Sequence, residues 1–229
     1  MSGVVVVFAK APVAGRVKTR LCPPLSPEQA ADLYACMLDD VLETTAGAAE
    51  ALGLAAVLTV DPPEARAVLV RRAPPIFRVV AQHGRDLSAR MARSVAEQAA
   101  GGLRPILLRG SDSPALPASL LGDAVSALAD GGDVVLAPDP DGGYSVVGMN
   151  RPAPGLFSQP MSHGGVLAQT VACAERSGLR VRLLDPCFDL DTGADLARLA
   201  EWRRNAGPLP CPRTLAWLDR YRAWPGAAA

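Results

Sequence analysis

No apolar run in the 229-residue chain approaches the roughly 20 residues that span a bilayer, so no membrane span is expected. Net charge is also missing. Lys and Arg total 23, Asp and Glu total 23, and without a global field neither nucleic acid nor an anionic membrane is the expected partner. Any phosphate-binding charge must be local. The five cysteines (Cys22, Cys36, Cys173, Cys187, Cys211) are odd in number and never form a CxxC pair. That is a poor disulfide or zinc framework and fits a reducing cytosol. The two histidines, His83 and His163, lie too far apart in sequence to form a metal cluster, and no Ser–His–Asp signature is present. The N-terminus lacks the layout of a signal peptide, and a cytoplasmic location is expected. There is no internal repeat and no dividing linker. A single domain over 1–229 is expected, with 206–229 as a C-terminal appendage.

Apolar residues, by contrast, make up 49% of the chain, ample for a large core, with only 4% aromatic. Their most informative cluster is Val4–Phe8, a short unbroken run of the kind buried on both faces of a parallel sheet. It empties into a loop carrying Pro12, Gly15 and the cations Lys10, Arg16, Lys18 and Arg20. Basic loops of this kind present charge to phosphates at a sheet's carboxyl edge. The loop is not a P-loop, because Val17 precedes Lys18–Thr19, and Gly15 alone does not make a GxGxxG fingerprint.

Downstream, Ser26-Pro27-Glu28-Gln29 reads as a capping box opening a helix to about Ala46. Strands are predicted at 54–60, 76–81, 105–108 and 133–137, alternating with helices at about 64–72, 86–100 and 117–129. That alternation argues a parallel, doubly wound α/β sheet with helices on both faces. The turn-rich Pro138-Asp139-Pro140-Asp141-Gly142-Gly143 and the return strand 144–149 predict that the sheet becomes mixed. Residues 151–162 are irregular. A helix over 165–177, a last strand over 180–184, a helix over 195–205 and a closing helix with Trp217, Tyr221 and Trp224 complete the chain.

Three special loops follow strands: the basic loop, Gly110-Ser111-Asp112-Ser113-Pro114, and Phe188-Asp189-Leu190-Asp191-Thr192. Loops at the carboxyl ends of strands in open α/β sheets converge on one crevice. Cations and carboxylates meeting there point to a Mg²⁺–phosphate site, in which the metal takes one or two protein carboxylates plus phosphate oxygens. Asp112 is one candidate ligand. Asp189 and Asp191, two apart on an extended segment, point to one face; either is a second ligand while its neighbour binds solvent or caps the next helix. Lys18 and Arg20 share that spacing and suit phosphate oxygens as a point charge and a fork. Lys10 and Arg16 either join them or are solvated. Asp141 stands beside Gly142 and Gly143, where backbone can approach a ligand closely, or where the pair simply makes a turn. Gln82 ends the third strand, where its amide can read a nucleobase edge. His163 reads as a ligand, a base or a helix-start residue.

AKAPVAGRVKTRL, GSDSP, APDPDGGYSVVG and DLDT, in that order over residues 3–200, resemble the GT-A-fold nucleotide-diphospho-sugar transferase superfamily. They are most similar to a bacterial family of glycosyltransferases, some linked to arsenosugar biosynthesis. VKTRLCPPLSPEQAADLYACMLDDVL also resembles the opening of phospholactate and phosphoenolpyruvate guanylyltransferases. The resemblance implies a three-layer α/β/α domain of GT-A type with a mostly parallel mixed sheet. It implies Lys18 and Arg20 on donor phosphates, Lys10, Gly15, Arg16, Gln82 and Ser111 around the donor, and Gln82 near the base. Asp112 would bind Mg²⁺ or Mn²⁺ with Asp189 or Asp191, and Asp141, Gly142, Gly143 and Tyr144 would face the acceptor or sugar, with Asp141 as candidate base. Two departures matter: Pro114 stands where glycosyltransferases of this fold carry the second acid of Asp-x-Asp, and only the Thr-Arg end of the nucleotidyltransferase Gly-x-Gly-Thr-Arg loop remains.

The expected function is metal-dependent transfer from a nucleotide-activated donor, a nucleotide sugar, to a small-molecule acceptor. The alternatives are nucleotidyl transfer from an NTP to a phosphorylated small molecule, with release of pyrophosphate, and a non-catalytic nucleotide-binding module. Oligomeric state is not legible in the sequence.

Overall fold

The computed structural model describes residues 3–161, 164–205 and 207–225. Its frame is a seven-stranded sheet: β1 (Val4–Lys10), β2 (Ala55–Asp61), β3 (Phe77–Ala81), β4 (Ile106–Gly110), β5 (Val134–Pro138), β6 (Tyr144–Met149) and β7 (Val181–Leu183). The spatial order is β3-β2-β1-β4-β6-β5-β7. All neighbours pair in parallel except β6, which runs antiparallel between β4 and β5. The sheet is thus mixed and mostly parallel, as the sequence predicts.

The strands read as continuous apolar runs because both faces are covered. Val5 and Val7 pack with Leu38, Val41, Leu42 and Leu121, from α1 (Pro27–Leu52) and α4 (Ala118–Ala129). Val4 and Val6 pack on the opposite face with Met91 and Val95 of α3 (Leu87–Ala100). α2 (Arg66–Val70) and α5 (Val166–Arg176) complete the two helical layers. Each buried Val, Leu or Met in these layers stabilises by about 1.5–3 kcal/mol relative to exposure.

The predicted capping box forms: the Ser26 hydroxyl accepts from Gln29 N at 3.2 Å, and the Gln29 side chain accepts from Ser26 N at 2.9 Å. α1 then runs past the expected end at Ala46 to Leu52 and stops at Gly53. Ala48 and Ala49 bury themselves against the core, and that packing carries the helix through Gly47. β1 also extends beyond the apolar run, because Lys10 pairs with Asp61. Lys10 therefore ends a strand rather than lying in the basic loop. The helix expected over 64–72 is a 3-10 turn at 63–65 followed by α2.

The tail read as an appendage carries α7 (Pro212–Arg220), which lies on α1. The fully buried Asp40 carboxylate accepts from Thr214 N at 2.8 Å, Thr214 Oγ1 at 2.7 Å and Arg213 N at 3.1 Å. Trp217, Leu218 and Cys211 share a core cluster with Leu33 and Met37 of α1 and Leu199 of α6 (Gly193–Asn205). The described part of the tail is thus tied into the domain. No described helix is long and apolar enough to cross a membrane.

Candidate active site

Because β1, β4 and β5 are parallel and β6 runs back from the same edge, four chain segments emerge together. These are Lys10 onward, Gly110 onward, Pro138 onward and the approach to Tyr144. Together with residues 189–191 they surround a cavity of about 910 Å³.

At its floor lies Lys18. The residue adopts a left-handed backbone (φ 49°, ψ 34°) at the start of a 3-10 turn, a conformation costing a non-glycine residue roughly 1–2 kcal/mol. The turn drives its ammonium between Asp112 and Asp191. Nζ hydrogen-bonds Asp112 Oδ1 and lies 2.7 Å from Asp191 Oδ1. The Lys18 side chain is 2% exposed, whereas those of Asp112 and Asp191 are 41% and 36% exposed and open to the cavity. Burial alone would lower the Lys18 pKa, but the two carboxylates outweigh it and raise it above the ordinary value. The cation is therefore permanent.

Tyr34 of α1 stands behind Lys18, its ring 5.8 Å from Nζ. Its hydroxyl accepts from Lys10 N at 3.0 Å and pairs with Ser111 Oγ at 2.8 Å, joining the ends of β1 and β4. Burial pushes the Tyr34 phenol up to about 12, so it stays protonated. Arg109, the penultimate residue of β4, is buried beneath the Asp112 loop. Its Nη1 donates to Thr45 Oγ1 at 3.0 Å and its Nη2 to the Ser113 carbonyl at 3.1 Å. Desolvation lowers its pKa to about 10.

Asp189 and Asp191 both line the cavity but have separate duties. Asp191 holds Lys18, while Asp189 Oδ1 accepts from Ser113 Oγ at 2.5 Å. Burial, then repulsion from Asp112, raises the Asp189 pKa to about 7. Neither caps α6. That role belongs to Thr192 and Asp195: Asp195 Oδ2 accepts from Thr192 N at 2.8 Å and from Asp191 N at 3.1 Å. The segment is fixed further by Leu190 N donating to Asp112 O at 2.8 Å, and by Asp189 N donating to Asp139 Oδ2 at 2.8 Å. Asp139 Oδ1 also accepts from Asp141 N at 2.8 Å. It is therefore Asp139 that organises this loop, while Asp141 is exposed at the cavity rim.

The other predicted residues divide by what already occupies them. Arg20 is exposed and 3.8 Å from Asp191. Lys10 and Arg16 line the cavity with side chains that have no partner among the described residues. Gly15 does not line it; its positive φ of 73° shapes the loop. Gln82 does line it, but its amide nitrogen donates to Ala9 O at 3.2 Å and Thr59 O at 3.0 Å, and its oxygen accepts from Arg90 at 3.4 Å. Its polar atoms thus serve the sheet edge. Arg90 is itself held 2.8 Å from Asp61. At Gly142 (φ 83°) a Cβ would stand 1.9 Å from Gly164 O, so the close approach there is to the chain itself, where Gly142 O also accepts from Leu167 N at 2.9 Å. Gly143 and Tyr144 face the cavity, and burial lifts the Tyr144 phenol to about 12. His163 lies outside the described residues.

Sequence reasoning missed Tyr34, Arg109, Asp139, Asp195 and the Asp61–Arg90 pair. An arginine inside the apolar strand Ile106-Leu107-Leu108-Arg109 was a legible anomaly. Tyr34 was hidden among the apolar face of α1, and no local signal separates Asp139 from Asp141.

Among the described residues, no three His, Cys, Asp or Glu side chains form a ready metal cage. A divalent ion of the Mg²⁺ type does not need one, since it takes one or two carboxylates with water and phosphate oxygens. Asp112 and Asp191 fit it: hard oxygen donors, partly open to the cavity, already arranged about a cation. Phosphate oxygens would find Arg20, Arg16 and Lys10 on the adjoining wall.

Comparison with known proteins agrees with this architecture. The chain is similar to a candidate nucleotide-diphospho-sugar transferase from Desulfovibrio desulfuricans G20, with 28% identity, TM-score 0.85, and coverage of 97% of this chain and 96% of that one. CMP:2-keto-3-deoxy-manno-octonic acid synthetase, solved with CTP, matches at 13% identity and TM-score 0.56 over 90% and 100% of the two chains. The 4-diphosphocytidyl-2C-methyl-D-erythritol synthase of Anaerococcus prevotii DSM 20548 matches at 9% and 0.58 over 89% and 99%. These last two share the fold. No curated protein matches the sequence. The chain belongs to the family described as "Uncharacterized protein conserved in bacteria (DUF2064)", whose model matches residues 42–163.

Proposed function

We propose that the protein is a divalent-metal-dependent transferase that moves a glycosyl group from a nucleotide sugar to a small hydroxyl acceptor. The observation that carries this reading is the Lys18 ammonium held between Asp112 and Asp191 at the floor of a cavity large enough for such a donor. Similarity over nearly the full chain to the Desulfovibrio protein supports it. Asp112 and Asp191 would hold Mg²⁺ or Mn²⁺, which supplies charge neutralisation to a diphosphate. Lys18 offsets the charge that builds on the departing diphosphate, and Arg20 closes on its outer oxygens. Asp141, at the rim, would take the acceptor hydroxyl proton. Arg109 and Ser113 keep the Asp112 loop and Asp189 in register beneath the reacting groups.

One observation favours a second reading. The β4 loop supplies a single acid, Asp112, with Pro114 two residues on, and the second carboxylate on Lys18 comes from the distant Asp191. That pattern suits nucleotidyl transfer, with the same cations on the β and γ phosphates of an NTP.

Incubation with Mg²⁺ and panels of nucleotide sugars and NTPs separates these activities. NDP released from a nucleotide sugar is the expected product. Pyrophosphate released from an NTP with a phosphorylated acceptor would refute glycosyl transfer, and stabilisation by nucleotide without any release would point to a binding module. Asp112→Ala should abolish metal-dependent nucleotide binding; retained binding with unchanged metal dependence would remove the metal from Asp112.

A further inference from the structure

The cavity is electrostatically divided. Among the described residues, every lysine and arginine lining it comes from the chain before Asp112. Three of these already have partners: Lys18 is held by Asp112 and Asp191, Arg90 by Asp61, and Arg109 is buried against Thr45 and Ser113. Among the described residues, those lining it after Asp112 contribute Asp139, Asp141, Asp189 and Asp191 and no lysine or arginine. Once donor phosphates lie against Lys18 and the β1 loop, what remains open is the end bounded by the β5–β6 loop and the start of α5. That end presents Asp141 at its rim and an apolar wall behind, where Tyr144 and Met161 pack against the cluster containing Met91 and Val147.

An anionic acceptor would have to enter this end past the exposed Asp141, which has no ion-pair partner among the described residues, and with Asp139 and Asp189 behind it; like-charge juxtaposition is strongly disfavoured where water is partly excluded. A neutral molecule with an apolar body finds both a surface to cover and a carboxylate to accept its hydroxyl proton. We propose that the acceptor is an uncharged or cationic hydroxyl compound with an apolar portion, and that phosphorylated and carboxylated acceptors are excluded. This assignment rests on the glycosyl-transfer reading. In the step it implies, the acceptor oxygen bonds to the anomeric carbon and the bond from that carbon to the diphosphate oxygen breaks. NDP leaves with the electron pair, and the hydroxyl proton passes to Asp141 and then to water.

The test uses matched pairs on the full chain saturated with Mg²⁺ and whichever of UDP, GDP, CDP or ADP stabilises it most. Octyl glucoside is compared with octyl glucuronide, and glycerol with glycerol phosphate, by calorimetry. The uncharged member of the first pair should bind at least about ten-fold more tightly. Asp141→Lys should narrow or reverse that preference while leaving nucleotide binding in place. Equal, reversed or undetectable binding of octyl glucoside overturns the proposal. The two readings fail separately. NDP release with an anionic acceptor preferred would discard the acceptor class and keep glycosyl transfer. Pyrophosphate release from an NTP, with the neutral preference intact, would discard glycosyl transfer alone.

Discussion

Replacing Lys18 by Met is the sharpest perturbation of this site, because it removes the ammonium while keeping a side chain of similar length. Asp112 and Asp191 would then face each other with no cation between them, and Asp189 lies close by. Removing one partner from a fully buried ion pair costs about 3–5 kcal/mol. Here the two carboxylates are 41% and 36% exposed, so water recovers much of that loss. Exposed pairs are worth about 0–1 kcal/mol each, and two such contacts give an expected loss of about 1–2 kcal/mol. For a chain of this size each kcal/mol moves the melting temperature by roughly 2–4 °C. The variant should therefore melt about 2–8 °C below the parent in EDTA. Mg²⁺ should narrow the gap, since a divalent ion between the same carboxylates replaces the missing charge. The assay is thermal unfolding of both proteins, with EDTA and with Mg²⁺. Identical melting in EDTA, or equal Mg²⁺ stabilisation of both proteins, would show that Lys18 does not do the work of a structural cation there.

Asp40→Ala should destabilise by about 3 kcal/mol, roughly 6–12 °C, because Thr214 and Arg213 backbone N–H groups lose a buried carboxylate. Limited proteolysis should then cut first between α6 and α7. Gly142→Ala forces a Cβ into the Gly164 carbonyl at 1.9 Å and holds a non-glycine residue at φ 83°, so a loss of about 2–4 kcal/mol in urea unfolding is expected. An unchanged midpoint would contradict the loop packing described here.

Much of the fold was written locally. The capping box at Ser26–Gln29, the return strand at Tyr144–Met149 and the Asp86 cap of α3 follow from neighbouring residues and appear as expected. The early stop assigned to α1 failed for a physical reason. Gly47 weakens a helix only locally, whereas burial of Ala48 and Ala49 is a tertiary gain that no nearby residue announces.

The site divides the same way. Sequence alone determined which loops carry acid and base, because an apolar strand that ends in charge must end at an edge of the sheet. It also supplied the residue types: Lys18, Arg20, Asp112, Asp189 and Asp191. What only the tertiary structure decided is how they share the work. Lys18 meets Asp112 across 94 residues and Asp191 across 173. The first depends on the parallel pairing of β1 with β4, an energy spread over many strand residues, and the second on the return of the chain to the Asp112 loop, where Leu190 N donates to Asp112 O. The same packing turned Gln82 toward backbone carbonyls, gave the helix cap to Asp195 so that Asp189 and Asp191 both reach the cavity, and made Asp139 the anchor of its loop. A side chain's chemistry is local, but its partners are set by the whole sheet.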